Sequence, residues 1–506
     1  MLDLGRTLLY VTERQPAAIA IVDGDTTITY GEWLERTLRT VAGLDALGLR
    51  HGDHLVTILQ SRLEAATLHW ACQLAGVVIT PVNWRAKPEE LDYVLGDADA
   101  RAVCFEPVSA DAVGNASHAR ALPRIAVGGA EGGTLAFDDL VAHAQADASS
   151  RAGPDDTSVM LYTSGTTGRP KGVPRTHAAE RAAAVAHVAQ NRYGYGERTL
   201  GVMPLYHTMG VRSLLSMALV SGGFICQPRF ETSAALDLVE RHRVTNLYLV
   251  PTLYHDLLAD PAFESSDVSS VRKLGFAGAP MTDGLLRRLA DAFRPELFVN
   301  HYGSSEIYTF TVCYDAPAKP GSAGKAGINQ RIRVVRIGAD DPHDTMPANE
   351  EGEIAASLES DESFAGYWRR SDADAKSLHG GWYSTGDVGY FDDDGDLFVT
   401  GRVDDMMISG GENVMPVEIE SVLSLHPGVA EVAVAGLPDE RLGQRITAFV
   451  TRRSEVDADA LDTYCKASAL ADFKRPRAYV FVRSIPKSPV GKILRRMLLA
   501  GEYERE

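Results

Sequence analysis

Hydrophobic and polar positions follow two different periods along the first hundred residues. Over 30–47 the apolar residues Leu34, Val41, Leu44 and Leu47 recur at helical spacing and form one stripe, as on an amphipathic helix that packs against a core. Short continuous apolar runs predict buried strands. Strands that alternate with helices are typical of parallel sheets covered by helices. The predicted elements, in chain order, are helix 30–47, strand 54–59, helix 65–75, strand 77–82, helix 88–96 and strand 102–105.

The middle of the chain shows a break in this alternation and then a change of period. Segment 123–157 is rich in Gly, Ala and Asp and predicts a surface connection. The alternation resumes over 158–299, with strands predicted at 246–250 and 274–277. From 324 to 399, short alternating runs are separated by Gly and Asp turns, which predicts a small β-rich subdomain.

A new α+β pattern begins at 401–405. We therefore predict a domain boundary, with an N-terminal domain over 1–403 and a C-terminal domain over 404–506. The predicted fold class is α/β: a large N-terminal domain of mostly parallel sheets flanked by helices, with a β-rich subdomain, and a small mobile α+β C-terminal domain. The predicted C-terminal elements are helix 416–425, strands 429–437 and 446–451, helix 458–469 and strand 478–482.

Composition narrows the classes of function. The chain has 506 residues, with 50 Lys and Arg against 68 Asp and Glu and a net charge of −18, which argues against bulk binding to nucleic acid or anionic membranes. The most apolar stretch, 214–226, is broken by a Ser-Gly-Gly run and predicts no membrane span. The first ten residues lack a signal-peptide pattern. Five scattered cysteines predict neither disulfides nor a metal site, so we expect a cytoplasmic protein.

The acidic turn at 392–396 resembles a calcium loop only in part. It reads Asp-Asp-Asp-Gly-Asp, but the Gly stands at the wrong position and the distal Glu of a calcium loop is missing. We predict a solvated hairpin turn there.

The strongest chemical signal is a run of hydroxyl residues and glycines that follows the apolar residues 159–162. Such a run surrounds a concave anion site with N–H and O–H donors, and Lys171 adds a positive charge suited to a polyphosphate. The spacing is not that of the usual P-loop. A plain flexible turn is the alternative, but the pattern favours phosphate binding. The residues of this run are Thr163, Ser164, Gly165, Thr166, Thr167 and Gly168.

The run at 162–173 resembles the phosphate loop of the acyl-adenylate-forming superfamily: acyl- and aryl-CoA ligases, luciferases and the adenylation domains of peptide synthetases. Four further segments resemble motifs of this family and follow in its order, and a fifth resembles its C-terminal catalytic-lysine loop. The hinge and segment 471–477 most resemble 4-chlorobenzoate- and benzoate-CoA ligases. The matching segments are 276–280, 301–306, 383–387, 401–413 and 489–493.

The resemblance implies a site for ATP and Mg²⁺. Glu306 would hold the metal, and a lone carboxylate suits a Mg²⁺ bound mainly by phosphates and water. Asp387 would accept both ribose hydroxyls. The plain alternatives are an acid near a helix start for Glu306, a turn acid for Asp387 and a surface ion pair for Arg402. The implied catalytic residues are Lys492, Glu306, His207 and Thr163, and the further nucleotide contacts are Gly278, Ala279, Pro280, His301, Tyr302, Gly303, Ser304, Ser305, Asp387 and Arg402.

The resemblance also implies a coenzyme A site in the C-terminal part. Asp404 would be the hinge, and Gly410 and Gly411 would line the thioester tunnel. Between 466 and 496 there are nine Lys or Arg and one acid, a local excess that suits a polyanion. Pairing of these bases with acids of the large domain is the alternative. The candidate contacts of the phosphorylated ADP part are Phe473, Arg475 and Arg477.

The pocket for the carboxylic acid is likewise implied by the resemblance. His207 would gate it, although a packed core histidine is the alternative. Residues 200–226 contain no acid that could pair with an ammonium, which disfavours amino acids. His301 and Tyr308 add polar groups, which favours a ring with an oxygen or nitrogen, such as hydroxybenzoate or furoate. The predicted lining is Val185, His207, Thr208, Met209, Leu249, Ala277, His301, Gly303, Tyr308 and Thr309.

We therefore expect an ATP-dependent aryl/acyl-CoA ligase that acts through an acyl-adenylate, with a small carboxylic acid, ATP and CoA as its partners. A stand-alone adenylation enzyme that loads a carrier-protein thiol is one alternative. A ligase for a malonate-like or aliphatic acid is another, because Arg212 could pair with a second carboxylate. A catalytically idle nucleotide-binding protein is the third. The oligomeric state stays open, with a homodimer as one option.

Overall fold

The computed structural model describes residues 2–163, 169–339, 341–468, 470–487 and 493–506, together with the backbone but not the side chains of Asp404 and Asn413. Its strands, in chain order, are β1 (Ile19–Asp23), β2 (Thr26–Thr29), β3 (His54–Ile58), β4 (Val78–Pro81), β5 (Ala100–Phe105), β6 (Arg124–Ala126), β7 (Leu135–Ala136), β8 (Thr157–Thr163), β9 (Lys171–Thr176), β10 (Arg198–Gly201), β11 (Gly223–Cys226), β12 (Asn246–Leu249), β13 (Lys273–Phe276), β14 (Leu297–Tyr302), β15 (Thr311–Cys313), β16 (Ser322–Ala326), β17 (Ile332–Val335), β18 (Gly352–Ser357), β19 (Leu378–His379), β20 (Trp382–Phe391), β21 (Leu397–Arg402), β22 (Met407–Ser409), β23 (Glu412–Val414), β24 (Val429–Asp439), β25 (Gly443–Arg452) and β26 (Ala478–Phe481).

Helices cover the sheets. The α-helices are α1 (Leu4–Arg14), α2 (Tyr30–Ala46), α3 (Leu63–Ala75), α4 (Pro88–Asp97), α5 (Ala110–Asn115), α6 (Phe137–Val141), α7 (His177–Gln190), α8 (Thr208–Leu219), α9 (Thr232–Arg241), α10 (Pro251–Ala259), α11 (Asp283–Phe293), α12 (Ser371–Ser377), α13 (Pro416–Ser424), α14 (Ala458–Ala467) and α15 (Arg495–Leu499). Within the described ranges, no helix has both the length and the apolar character needed to cross a bilayer.

Two large sheets carry the N-terminal part. One has the order β7-β6-β5-β3-β4-β8-β9, in which the strands from β7 to β8 are parallel and β9 is antiparallel to β8. The other is 14-stranded and contains the parallel set β1-β11-β10-β12-β13-β14, followed by antiparallel strands. Helices α1, α2, α3, α7 and α8 contribute to the main apolar core. The predicted α/β class of the N-terminal part is confirmed.

Segment 123–157 is not the bare connection that its composition predicts. It contains β6, β7 and α6, and the two strands extend the seven-stranded sheet in parallel. These strands have three and two residues, which is too short for an apolar period to register. Phe137 and Leu140 of α6 are buried in the main core.

Antiparallel strands form the β-rich part, as predicted. Strands β17, β18, β20, β21 and β16 pair side by side at one end of the 14-stranded sheet. The acidic turn at 392–396 joins β20 to β21 as a hairpin, which confirms the predicted turn.

The C-terminal part folds around a sheet of its own. This sheet has the order β23-β22-β25-β24, and β26 is parallel to β25. Helices α13 and α14 pack on it through Ile419, Leu423 and Leu461, each fully buried. The boundary at 404 stays a prediction.

Candidate active site

Strands β8 and β9 hold the two ends of the predicted phosphate loop next to each other. Thr163 is the last residue of β8 and pairs across the ladder with Lys171, the first residue of β9. The two ends of the predicted loop are therefore neighbours at the end of the sheet. Ser164, Gly165, Thr166, Thr167 and Gly168 lie outside the described residues, so their predicted phosphate contacts stay a prediction.

Lys171 and Glu306 meet at one aromatic ring. The Lys171 Nζ lies 3.9 Å from the centre of the Tyr367 ring, and the Tyr367 hydroxyl donates a 2.7 Å hydrogen bond to Glu306 Oε1. Burial lowers the pKa of Lys171, and Glu306 opposes this shift. Tyr367 belongs to no motif recognised in the sequence, and the one signal for it is the aromatic-rich run 364–368. A cation and a carboxylate are thus placed together beside the phosphate loop.

Arg175 fixes the backbone that carries Glu306. Its side chain is completely buried and forms an ion pair with the equally buried Glu180, with Nε 2.8 Å from Oε1. The guanidinium donates to the carbonyl oxygens of Glu306, at 2.8 Å, and Glu362, at 2.5 Å. It also lies 4.0 Å from the centre of the Tyr308 ring. One arginine therefore connects β9 to the predicted metal segment and to the predicted acid pocket.

The predicted ribose residue Asp387 bridges two motifs. The Tyr302 hydroxyl donates to Asp387 Oδ2 at 2.6 Å, and Arg402 Nη1 lies 2.9 Å from Asp387 Oδ1. Asp387 and Arg402 face each other in the β20–β21 ladder. Gly386 has a positive φ of 72°, and a Cβ there would lie 2.9 Å from Arg402 Nη2. The structure thus joins the segments 301–306 and 383–387, which the sequence only places in order.

The predicted adenine turn follows β13. Ala277, Gly278 and Ala279 are half-buried and Pro280 is exposed. Gly278 has a φ of 85°, and a Cβ there would lie 3.4 Å from the Val250 side chain, so the turn is suited to glycine. Gly303 allows a close approach as well, because a Cβ would lie 2.1 Å from the Tyr308 carbonyl oxygen. Ser304 and Ser305 complete the loop that leads to Glu306.

Most of the predicted acid-pocket side chains are buried, but Val185 is not. Val185 is 43% exposed and lines a surface groove of about 250 Å³ with Ile328, Asn329 and Asp361. Helical periodicity puts Val185 on the outer face of α7, and its predicted place in the acid pocket stays a prediction. The buried members are Thr208, Met209, Leu249, His301, Tyr308 and Thr309.

His207 is not a packed core histidine. It precedes α8, and its Nδ1 accepts a 3.3 Å hydrogen bond from the Met209 amide as a helix cap. The side chain is half-buried. Its predicted role as a gate stays a prediction.

A buried polar cluster that the sequence analysis missed surrounds His301. Asn191, at the end of α7, contacts both His187 Nδ1 at 2.9 Å and His301 Nε2 at 3.0 Å. The two imidazole rings are 5.0 Å apart, and the Tyr248 ring packs against both. Burial lowers the pKa of His187 and of His301 well below the usual value, so both rings are neutral near pH 7.

Arg212 lies beside this cluster and is already engaged. It is buried, and it donates to the Tyr308 carbonyl oxygen and, at 3.5 Å, to the Tyr248 hydroxyl. Glu362, also buried, is close enough for the charge of Arg212 to lower its pKa, although burial raises that pKa overall. The charge of Arg212 therefore acts on a neighbouring carboxyl group of the protein.

The predicted coenzyme A segment forms a tight hairpin. Gly410 and Gly411 join β22 to β23 with positive φ values of 63° and 89°, as a two-residue type I′ turn requires. Asp404 lies in the short helical turn Val403–Asp405. Lys492 lies outside the described residues.

Among the residues that the structure describes, most of the basic ones near the C-terminus are paired, and their printed partners are acids or carbonyl groups of the C-terminal part itself. Arg475 pairs with Asp462, as does Lys466. Arg477 donates to the Asp472 carbonyl oxygen, and Phe473 is 42% exposed. These partners differ from the predicted alternative, which was pairing with acids of the large domain. The other pairs are Lys474–Glu418, Lys487–Glu431, Arg483–Glu504 and Arg495–Glu420.

The hairpin at 392–396 holds a lysine where a calcium loop would hold its ion. Asp392, Asp394 and Asp396 are the one group of three acidic, His or Cys side chains in the described ranges that is close enough to share a metal. The Lys319 Nζ lies among them, at 2.6, 3.0 and 2.7 Å. The ammonium therefore already occupies the space between these carboxylates and offsets part of their charge.

Two family models match the chain. The model of the AMP-binding enzymes matches residues 10–368, and the model of the AMP-binding enzyme C-terminal domain matches residues 418–492. The chain belongs to the AMP-binding enzyme family. Membership confirms the resemblance to the acyl-adenylate-forming superfamily and the expectation of an AMP-forming acid–thiol ligase.

Known relatives are similar over nearly the whole chain. A feruloyl-CoA synthase of Amycolatopsis is 34% identical over 493 residues, 97% of this chain and 96% of that protein. A 4-chlorobenzoate–CoA ligase of Arthrobacter is 32% identical, over 96% of this chain and 92% of that protein. The solved structure of the anthranilate CoA ligase AuaEII with anthranoyl-AMP superimposes with a TM-score of 0.90 at 26% identity, and the match covers 99% of this chain and 97% of that chain.

Proposed function

We propose that this protein activates a small aromatic or heteroaromatic carboxylic acid with ATP, as an acyl-adenylate, and transfers the acyl group to coenzyme A. One observation carries the proposal. The Lys171–Tyr367–Glu306 contacts and the Tyr302–Asp387–Arg402 contacts assemble the phosphate, metal and ribose motifs at one place.

In the first step, a carboxylate oxygen of the acid attacks the α-phosphorus of ATP, and pyrophosphate leaves. Lys171 offsets negative charge on the phosphates as a half-buried cation, whose charge water screens less than it would at an open surface. Asp387 accepts hydrogen bonds from the ribose hydroxyls, while Tyr302 and Arg402 hold its carboxylate in position. The protein thus orients the α-phosphate against the acid before the bond forms.

Glu306 fits the role of a Mg²⁺ ligand. It is 6% exposed, and Tyr367 donates to its Oε1, which makes Oε2 the candidate ligand. A magnesium ion at triphosphate usually takes one or two protein carboxylates and keeps several waters. Bound there, Mg²⁺ would neutralise charge on the phosphate oxygens.

In the second step, the thiolate of coenzyme A attacks the acyl carbon and AMP leaves. The proposed C-terminal domain rotates about Asp404 between the steps, so that Lys492 serves adenylation and the Gly410–Gly411 hairpin serves thioester formation. The exposed Phe473, Arg475 and Arg477 are the proposed contacts of the CoA nucleotide. His207 would withdraw from the pocket to admit the thiol.

Lys492→Ala separates the two steps. We expect it to abolish pyrophosphate release from ATP and acid, because the positive charge that serves the first transition state is lost. Thioester formation from a supplied acyl-adenylate and CoA should stay near that of the wild type. Equal loss of both activities would contradict the two-state assignment.

Polar lining supports an aromatic acid that carries an oxygen or nitrogen atom. A malonate-like acid is less well supported, because Arg212 already donates hydrogen bonds to the Tyr308 carbonyl oxygen and the Tyr248 hydroxyl. AMP release should be measured with a panel of aromatic, heteroaromatic, aliphatic and dicarboxylic acids, each with CoA. Turnover of an acid with a holo carrier protein and none with free CoA would favour the carrier-loading alternative. All five cysteines are buried and unpaired, which supports a reducing location such as the cytoplasm.

A further inference from the structure

The backbone on both sides of Lys171 is held by residues from outside its own strand. The Tyr93 hydroxyl donates a 3.1 Å hydrogen bond to the Pro170 carbonyl oxygen, and the Trp368 amide donates a 2.9 Å hydrogen bond to the Gly172 carbonyl oxygen. Strand β9 is the last strand of the seven-stranded sheet, and an edge strand leaves carbonyl groups that no further strand satisfies. The two residues that flank Lys171 are therefore fixed by distant parts of the chain.

The last turn of α4 is the common support of these contacts. Tyr93 and Asp97 stand four residues apart on α4, and Asp97 is its last residue, so the two side chains lie on one face of the helix. The Asp97 carbonyl oxygen accepts a 2.9 Å hydrogen bond from Trp368 Nε1. Its carboxylate accepts a 2.7 Å hydrogen bond from the Tyr162 hydroxyl. The turn is thus connected to the end of β8 and, through Trp368, to the start of β9.

The Tyr93 hydroxyl has two acceptors near it and one hydrogen to donate. The Pro170 carbonyl oxygen lies 3.1 Å away and Asp97 Oδ1 lies 3.5 Å away, so the shorter contact takes the hydrogen. Burial and the Asp97 carboxylate raise the pKa of Tyr93, and the hydroxyl therefore keeps its hydrogen at neutral pH. Proline has no N–H, so this carbonyl is the one backbone group through which Pro170 can be held.

The run Tyr367–Trp368 completes the support of Lys171. The Lys171 Nζ lies 3.9 Å from the centre of the Tyr367 ring, while the next residue, Trp368, holds the backbone of β9. Trp368 comes so close that a Cβ on Gly172 would lie 3.0 Å from the Trp368 Cβ and 2.9 Å from Met160 Sδ. The side chain of Lys171 and the backbone that carries it are therefore both fixed.

We propose that Tyr93 is a positioning residue for ATP binding and that it acts through Lys171. This inference rests on the proposed function, in which Lys171 offsets the charge of the ATP phosphates. A lysine ammonium sits on a flexible four-carbon stem, and a fixed backbone reduces the freedom that the side chain must lose when it binds a phosphate. Removal of the Tyr93 hydroxyl therefore weakens ATP binding, although Tyr93 is not itself a contact of the nucleotide.

Tyr93→Phe removes the hydroxyl and keeps the ring. Calorimetric titration of the full chain with ATP in the presence of Mg²⁺, without acid or CoA, measures the Kd. We expect the Kd to rise about three- to tenfold, which is the range for one lost hydrogen bond between neutral groups. Tyr30→Phe is the matched control, because the Tyr30 hydroxyl also donates to backbone carbonyl groups, those of Met217 and Gly222, but from α2. An unchanged Kd in Tyr93→Phe, or an equal rise in Tyr30→Phe, would overturn the proposal.

A double-mutant cycle with Lys171→Met separates positioning from a merely structural role. Lys171→Met should weaken ATP binding by itself. Added to it, Tyr93→Phe should change the Kd by less than about twofold, because the group that Tyr93 positions is already gone. Two effects that multiply in the double variant would show that Tyr93 does not act through Lys171 and would overturn the proposal. If Tyr93→Phe does not fold, Tyr162→Phe takes its place in the cycle with the same expected result, since it removes the other hydroxyl bonded to this turn of α4.

The failure of this inference is distinguishable from the failure of the proposed function. If the wild type releases pyrophosphate with an acid of the panel while Tyr93→Phe binds ATP as tightly as the wild type, the ligase assignment survives and the positioning role does not. If the wild type binds ATP but no acid of the panel supports pyrophosphate release, the proposed function fails, and the Kd of Tyr93→Phe still decides the positioning role. If the wild type binds no ATP, both fail.

Discussion

The ion pair between Arg175 and Glu180 gives the sharpest test of the site's architecture. Both side chains are 0% exposed, and Arg175 also donates to the carbonyl oxygens of Glu306 and Glu362. The perturbation is Arg175→Met, which keeps a long side chain but removes the charge and all of its donors. Glu180 is then left buried without its counter-charge.

The structure allows the cost to be worked out in two parts. Removing one partner of a buried pair costs about 3–5 kcal/mol, so we expect about 4 kcal/mol for Arg175→Met. The double variant Arg175→Met/Glu180→Leu leaves no charge behind. Glu306 O still accepts from the Phe364 amide at 3.0 Å, so Glu362 O loses most, at about 1–3 kcal/mol. The double variant should therefore be about 2 kcal/mol more stable than the single one.

Tryptophan fluorescence during urea unfolding measures these differences on the relevant part of the chain. All five tryptophans, at 33, 70, 84, 368 and 382, precede residue 403. Arg241→Met is the control, because its partner Asp237 and Arg241 itself are both more than half exposed, and little change is expected. A double variant that is less stable than Arg175→Met would refute the reasoning, since the two charges would then not depend on each other.

Three further outcomes are expected. Tyr302→Phe removes the 2.6 Å hydrogen bond to Asp387, and a hydrogen bond to a charged group is worth about 1.5–3 kcal/mol. KM for ATP should therefore rise about tenfold or more, while KM for the acid stays unchanged. In the control variant Tyr390→Phe, KM for ATP should also stay unchanged. Lys319→Met leaves the carboxylates of Asp392, Asp394 and Asp396 to repel each other. The melting temperature of the variant should therefore fall at low salt and recover with added NaCl. A fall that NaCl does not reverse would contradict this electrostatic explanation. Burial lowers the pKa of His54 and His177 to about 4 and of His69 to about 3. As the pH falls below about 6.5, these histidines therefore become protonated in the unfolded chain before they do so in the folded protein. The free energy of unfolding should fall by about 1.4 kcal/mol per pH unit for each histidine between about pH 6 and pH 4, and His69→Leu should reduce that slope by one proton's share.

The periodic parts of the fold could be predicted from the sequence because burial follows the backbone period. Helix α2 and strands β3, β4 and β5 lie within a few residues of their predicted bounds. Strands β6 and β7 could not be predicted, since two or three residues show no period. Their place is set by pairing with β5 and not by their own pattern.

The residues of the candidate site also fall into those that could be predicted from the sequence and those that could not. Motif residues such as Glu306 and Asp387 could be named because their order along the chain is specific. Tyr367, Arg175 and Asn191 could not, because each acts through a partner far along the chain. Arg175 stands in β9 two positions after Val173, and only the fold reveals that Glu180 and two carbonyl groups accept its hydrogen bonds.

The contact of Tyr302 with Asp387 spans 85 positions, and that of Arg175 with Glu362 spans 187. Closing such long loops is slow compared with local helix formation. A chain still emerging from the ribosome would therefore have its parallel sheets long before Tyr302 could contact Asp387, the proposed ribose contact. A fragment that stops before β20 should fold in part yet fail to retain nucleotide. Prematurely terminated chains would therefore not consume ATP in the cell.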